Sequence, residues 1–296
     1  MEPGFFRNVT VAGLGLMGGS FCLAARRAHP DVRLTGVDEP EVLRGALGYG
    51  MIRRGLPPSL LEAAVADADL VVLAAPVKGI LGLLGRLSGR VRPGTVVTDT
   101  GSTKMEICRA ARTVLWDGAA FVGGHPLCGS ERRGIGAADA GLFRGAAWVL
   151  TPPAPPVAPA AFRALARFVE ALGARVRVLD AEEHDRIVAT TSHLPQLLAV
   201  ALAVVAGRRD GSPGCAGRGL RDMTRLAGSS FEVWADILST NPARIDEALG
   251  EAMAELGRIR RMLRQGDFRA MATLFREAAQ VRARFASPPG RESSGE

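Results

Sequence analysis

The stretch VTVAGLGLMGGS (9–20) constrains the fold more than any other part of this 296-residue chain. A β-branched run leads into Gly13, Gly15 and Gly18 at G-x-G-x-x-G spacing, and the helix-length segment SFCLAARRA follows. Asp38 ends the next β-branched run, VRLTGVD (32–38), twenty residues after Gly18. Glycine makes up 36 residues of the chain, so the triplet alone says little. The strand before it, the helix after it and the late aspartate together specify a βαβ unit that binds a dinucleotide. Glycines let the backbone approach a pyrophosphate, and a helix N-terminus meets its negative charge. Gly13, Gly15, Leu16, Met17 and Gly18 are therefore the cofactor loop, with Asp38 accepting hydrogen bonds from the adenosine ribose. Asp38 and Glu39 would repel a 2′-phosphate and no arginine immediately follows, so NAD is expected over NADP.

Further β-branched runs lie at 68–76, 94–99, 119–124, 146–152 and 174–180, most of them separated by helix-length segments. That alternation predicts an α/β fold with a Rossmann-type, mainly parallel sheet. The proline-rich stretch 151–161 reads as a surface loop within it. Beyond residue 181 the strands stop. AEEHDRIVATTSHLPQLLAVALAVVAG is helical, with Pro195 expected to kink or restart it. Ser229 and Glu232 have capping-box spacing. Asn241, Pro242 and Gly266 bracket a long helix whose Ile245, Leu249, Met253, Leu256, Ile259 and Leu263 form one apolar stripe, and Asp267 caps a last helix. The expected division is a dinucleotide-binding domain over 1–180, an all-helical substrate and dimerisation domain over 181–287, and a disordered tail over 288–296. Helices of this kind bury their stripe in a partner subunit, which points to a homodimer.

Composition narrows the function class. The net charge is +7, but Lys78 and Lys104 are the only lysines and no basic run is interleaved with aromatics, so nucleic-acid binding is not expected. The longest strongly apolar stretch, 194–206, is too short to cross a bilayer, and the N-terminus has no export signal, so no membrane partner is expected. Cys22, Cys108, Cys128 and Cys215 stand far apart without metal-ligand spacing, which fits a reduced, cytoplasmic setting and no metal.

Chemistry-bearing residues cluster at strand ends and in the helical part. FVGGHPLCGSERRG (121–134) places His125 beyond the fifth strand, where ligands of open α/β sheets lie. DTGSTK (99–104) puts Ser102 and Lys104 on the same rim. ATTSHLPQ carries His193, and GLRDMTRLAG carries Asp222 and Arg225 three apart. His184, in EEHDR at a helix start, reads as a surface residue or one behind the site and is not assigned a role; nine residues from His193, it is not expected to share a metal with it. Cys128 reads as a small packing residue, and Arg132 and Arg133 as solvated or facing an acidic substrate.

Taken in order, these motifs with AADAGLFRGAAWVLTP and EEHDRIVATTSHLP resemble the prephenate and arogenate dehydrogenases of tyrosine biosynthesis over about residues 8 to 285. The resemblance implies NAD-dependent oxidative decarboxylation of a cyclohexadienol, prephenate or arogenate, to 4-hydroxyphenylpyruvate or tyrosine with CO2 and NADH. It implies that His125 bonds the 4-hydroxyl and takes its proton, and that Ser102 supports that histidine. Arg225 then grips the ring carboxylate, His193 lies near the substrate side chain, Glu131 serves the pocket mouth, and Asp222 orients Arg225 or His193. Two places depart from the family pattern: Gly228-Ser229-Ser230-Phe231 stands where a Ser-Asp-Pro run is usual, and Gly217-Arg218-Gly219 where consecutive glycines are. Both leave side-chain selectivity and inhibition by tyrosine open. No mutase segment is expected before the first strand and no regulatory domain after residue 285. Rossmann-plus-helical dehydrogenases of β-hydroxy acids would use a lysine in the helical part, and no lysine follows Lys104. A non-catalytic NAD-sensing dimer would have little reason to keep His125, Ser102 and Arg225 together.

Overall fold

All seven β-branched runs become strands. They are β1 Asn8–Ala12, β2 Arg33–Val37, β4 Leu70–Leu73, β5 Val96–Asp99, β6 Ala120–Pro126, β7 Ala147–Thr151 and β8 Arg175–Val178. An eighth, β3 Arg54–Leu56, is three residues long and too short to show periodicity in the sequence. The structure, a computed structural model, describes residues 6–114, 116–129, 132–152, 159–209, 211 and 213–286. Part of the proline-rich stretch, Glu131 and the 288–296 tail lie outside the described residues. The helices are α1 Leu16–Ala28, α2 Pro40–Gly48, α3 Leu61–Val65, α4 Val77–Leu87, α5 Met105–Arg112 and α6 Pro159–Ala171, then α7 Ala181–Val188, α8 Leu194–Gly207, α9 Arg218–Thr224, α10 Phe231–Thr240, α11 Pro242–Gln265 and α12 Phe268–Ala286. They form two compact units, Met1–Ile245 and Asp246–Glu296.

The sheet order in the first unit is β3-β2-β1-β4-β5-β6-β7-β8. Every pairing is parallel except β6 with β7, where His125 lies opposite Val149. The order reverses between β1 and β4, and the crevice beyond the carboxyl ends of those strands is where such sheets bind ligands. Alternation along each strand divides the core between the two faces. Val9, Val11, Leu70 and Val72 pack with Phe21, Trp148 and Phe168 under α1 and α6. Ala12, Val71, Leu73 and Val97 pack with Ile80, Leu84 and Ile107 under α4 and α5. Strands buried on both faces explain why their runs read as nearly continuous apolar segments.

As expected, the helix restarts at Pro195: α8 begins at Leu194 with the proline in its first turn. The helix runs over Ala181–Gly207, 27 residues, through a π-turn at Ala189–His193 that accommodates the missing N–H. By length and composition it could cross a bilayer, contrary to the expectation from 194–206 alone. Its polar His184, Asp185, His193 and Gln196 are nevertheless buried within the unit. The expected Ser229–Glu232 capping box is absent. Ser230 precedes α10, its hydroxyl donates to the Glu232 carboxylate, and the Ser229 hydroxyl donates to Gln196 Oε1 at 3.4 Å. A nearer acceptor for each hydroxyl outcompetes the backbone. α10 docks on α4, where the Lys78 N–H donates to the Asp236 carboxylate at 3.0 Å.

In the second unit, the end of α11 turns at Gly266, with φ +66°, a conformation glycine adopts without a Cβ clash. Asp267 caps α12 as expected, accepting from the Ala270 N–H at 2.9 Å. Met253, Leu256, Leu263, Phe268, Phe275 and Phe285 of this unit are all exposed.

Candidate active site

The three glycines do three different jobs. At Gly13, with φ +93°, a Cβ would lie 2.4 Å from the Ala74 carbonyl oxygen. At Gly18 it would lie 1.8 Å from the Gly13 carbonyl, so α1 could not pack against the loop. At Gly15 it would meet nothing within 4 Å, which is the open space a pyrophosphate needs. α1 begins with no side-chain cap and no acidic residue in its first turn, leaving its N–H groups to an anion. The Asp38 carboxylate accepts from the Leu14 N–H at 2.6 Å and the Glu39 N–H at 2.7 Å, which holds it at the end of β2. These residues fit NAD. Asp38→Ala should weaken NAD⁺ binding roughly 10- to 100-fold, the worth of hydrogen bonds to a charged acceptor, and relax rejection of NADP⁺. Titration of each nucleotide checks this, and a wild-type preference for NADP⁺ would refute the role given to Asp38.

Beside that loop opens a cavity of about 860 Å³. Gly15, Leu16 and Met17 line one side, Ser102 the end of β5, and Arg225 and Trp234 the helical side, with Arg132 and Arg133 at another edge. Arg225 stands on a 3₁₀ turn, Arg225–Gly228, that Gln196 holds by donating Nε2 to the Leu226 carbonyl at 2.9 Å. Asp222 is not on the cavity lining. Its exposed carboxylate lies 3.6 Å from the Arg218 guanidinium, four residues back on α9, because the helix tightens after Thr224 and breaks the face it was expected to share with Arg225. Lys104 is not on the rim either. It is fully buried and paired with Asp99, whose carboxylate also accepts from the Gly101 N–H at 2.8 Å and the Gly124 N–H at 3.0 Å.

His125 is half-buried near the end of β6, opposite Val149 of β7, and is not among the residues that line the cavity. Its Nδ1 lies 2.8 Å from His184 Nε2, with the rings edge to face. Ser102 makes no side-chain hydrogen bond among the described residues, and the ring that pairs with His125 is His184, which sequence reasoning left without a role. His184 is fully buried, and its Nδ1 lies 2.7 Å from Asp185 Oδ1. Asp185 also closes the N-terminus of α5, accepting from the Lys104 N–H at 2.7 Å and the Met105 N–H at 2.9 Å. Burial, then the neighbouring His184 and Lys104, holds His125 well below the ordinary histidine range. Burial likewise lowers His184 against the opposing pull of Asp185. The Cys128 thiol is pushed up to about 11 by burial, as befits a packing residue.

His193 is buried, contacts Trp234 edge to face at 5.9 Å, and among the described residues has no hydrogen-bond partner at Nδ1. Burial pushes it down to about 4. The unfolded chain takes up that proton near pH 6.5 and the folded one does not, so stability should fall as pH drops from about 6.5 toward about 4. His193 alone should contribute about 3 kcal/mol of that loss. His193→Gln should flatten the slope in urea unfolding across that range, and an unchanged slope would show that His193 is protonated in the native state. Among the described residues no cluster of His, Cys, Asp and Glu could hold a metal ion.

Comparison with known proteins matches both halves of the chain to one family. The family model described as "Prephenate dehydrogenase, nucleotide-binding domain" matches residues 21–178, and "Prephenate dehydrogenase, dimerization domain" matches 180–277. The chain is 32% identical to a prephenate dehydrogenase of Lactococcus lactis over 283 residues, 93% of this chain and 77% of the relative. Its structure is similar to that of prephenate dehydrogenase from A. aeolicus in complex with hydroxyphenyl propionate and NAD⁺, with a TM-score of 0.87 and 27% identity over 94% of this chain and 98% of that one. It is also similar to arogenate dehydrogenase from Synechocystis, with a TM-score of 0.81 and 28% identity over 94% of this chain and 100% of that one. With a nucleotide-binding match over 21–178, a dimerization-domain match over 180–277 and a relative 32% identical over most of its length, the chain belongs to the prephenate dehydrogenase family.

Proposed function

We propose that the chain oxidises and decarboxylates prephenate or arogenate with NAD⁺, giving 4-hydroxyphenylpyruvate or tyrosine, CO2 and NADH, as a cytoplasmic enzyme of tyrosine biosynthesis. One observation carries the reading: the nucleotide loop, Ser102 and Arg225 line a single cavity. Gly13, Gly15, Gly18 and the N-terminus of α1 would hold the pyrophosphate, and Asp38 the ribose. When bound, NAD⁺ supplies the two-electron acceptor. Arg225 forks onto the ring carboxylate and fixes the ring over the loop. His125, kept neutral by its surroundings, accepts the 4-hydroxyl proton as the carbonyl develops. Loss of CO2 then makes the ring aromatic, its electron pair ends on that oxygen, and the oxygen takes the proton back from His125 to leave the phenol. Ser102 bonds the same hydroxyl. His193 serves the substrate side chain from behind Trp234, and Glu131 serves the pocket mouth. Asp222, paired with Arg218, has no place in this scheme.

The division of labour we propose is cofactor binding over 1–180 and substrate binding with homodimerisation over 181–287. Exposed apolar residues on α12 and the end of α11 support a partner copy. The test is NADH absorbance on mixing the protein with NAD⁺ and either prephenate or arogenate, with steady-state kinetics in parallel. NADH and CO2 should appear together with at least one of them, and no NADH with either would refute the proposal.

A further inference from the structure

We propose that His184 and Asp185 are positioning residues that hold His125 in one tautomer, with the proton on Nδ1 and the lone pair of Nε2 left for the substrate. That His125 is the base rests on the proposed function; the tautomer itself rests on geometry alone.

The chain of donors and acceptors has one consistent solution. Asp185 accepts a backbone N–H with each of its two oxygens at the start of α5, so the carboxylate acts as an acceptor there. The His184 nitrogen beside Asp185 Oδ1, Nδ1, must therefore donate. A neutral imidazole has one donor and one acceptor, so His184 Nε2 accepts. Its partner at 2.8 Å, His125 Nδ1, must then be the N–H, and Nε2 becomes the basic atom. The other charged and titratable groups around the pair leave this order intact. Lys104 is ion-paired with Asp99, and burial, the largest influence on both imidazoles, favours their neutral forms. His193, the remaining ring nearby, is itself neutral above about pH 4.

The dyad is also built rigidly. The Asp185 backbone carbonyl accepts from Asn241 Nδ2 at 2.8 Å, and all three residues are at least nine-tenths buried. When His125 takes a proton on Nε2, the resulting imidazolium still donates from Nδ1, and the Asp185 charge lies one ring away.

Nitrogen-15 spectra of the free protein, labelled at its four histidines, test the assignment without substrate. At neutral pH His125 should show Nδ1 protonated and Nε2 bare; the reverse pattern overturns the proposal. In turnover, His184→Phe removes the acceptor and keeps a flat ring, and kcat should fall roughly 10- to 100-fold with KM and NAD⁺ affinity little changed. His184→Gln, whose amide oxygen can accept from Nδ1, should recover most of that loss. Wild-type kcat in a folded His184→Phe protein would overturn the proposal. If the Phe variant does not fold, the Gln variant and the spectra decide. A protein inactive toward both substrates refutes the proposed function, and the spectra then decide the tautomer alone.

Discussion

Replacing His125 with asparagine should lower kcat roughly 10²- to 10⁴-fold, the usual worth of a positioned base. Asparagine can hydrogen-bond the 4-hydroxyl but cannot take its proton, so substrate and NAD⁺ affinities should stay near those of the wild type. The pH profile gives the same test a second reading. The neutral imidazole is the working form, and its fraction falls only as pH drops through the pKa. Burial with His184 and Lys104 places that pKa well below 6.5. The acid limb of kcat/KM in the wild-type enzyme should therefore lie well on the acid side of an ordinary histidine, and it should vanish in the Asn variant. Near-wild-type turnover with the limb intact would reduce His125 to a strand residue.

Removing the Arg225 guanidinium should raise the substrate KM by roughly 10²-fold or more, the cost of stranding a bound carboxylate without its partner. NAD⁺ affinity should hardly move, because the nucleotide loop keeps its own donors. Lysine should restore little of the loss, since a point charge cannot fork onto two oxygens. An unchanged KM in Arg225→Ala would move the carboxylate anchor to Arg132 or Arg133, which line the same cavity.

Much of this was legible in the chain itself because it is local. A strand alternates within itself, a glycine loop needs no distant residue to be recognised, and Asp38 lies close behind its glycines. The seven longer strands, the cofactor loop and the cap at Asp267 were all readable for that reason. Strand β3 was not, since three residues carry no period. The antiparallel turn of β7 was not either, since a run of apolar residues has no direction until it is paired.

The site divides the same way. His125, Ser102 and Arg225 stand out by their motifs as the proposed site, but what each packs against is a matter of residues far apart in sequence. His184 stands in an acidic helix start that looks solvent-facing, and Lys104 in a loop that looks like a rim. Both are fully buried, Lys104 against Asp99 of its own motif and His184 against the His125 ring that β6 brings from far along the chain. Sequence determined which groups this protein has for its chemistry. Tertiary structure decided which of them are buried, in which protonation state and against which partner, because desolvation and pairing depend on neighbours that only the folded chain supplies.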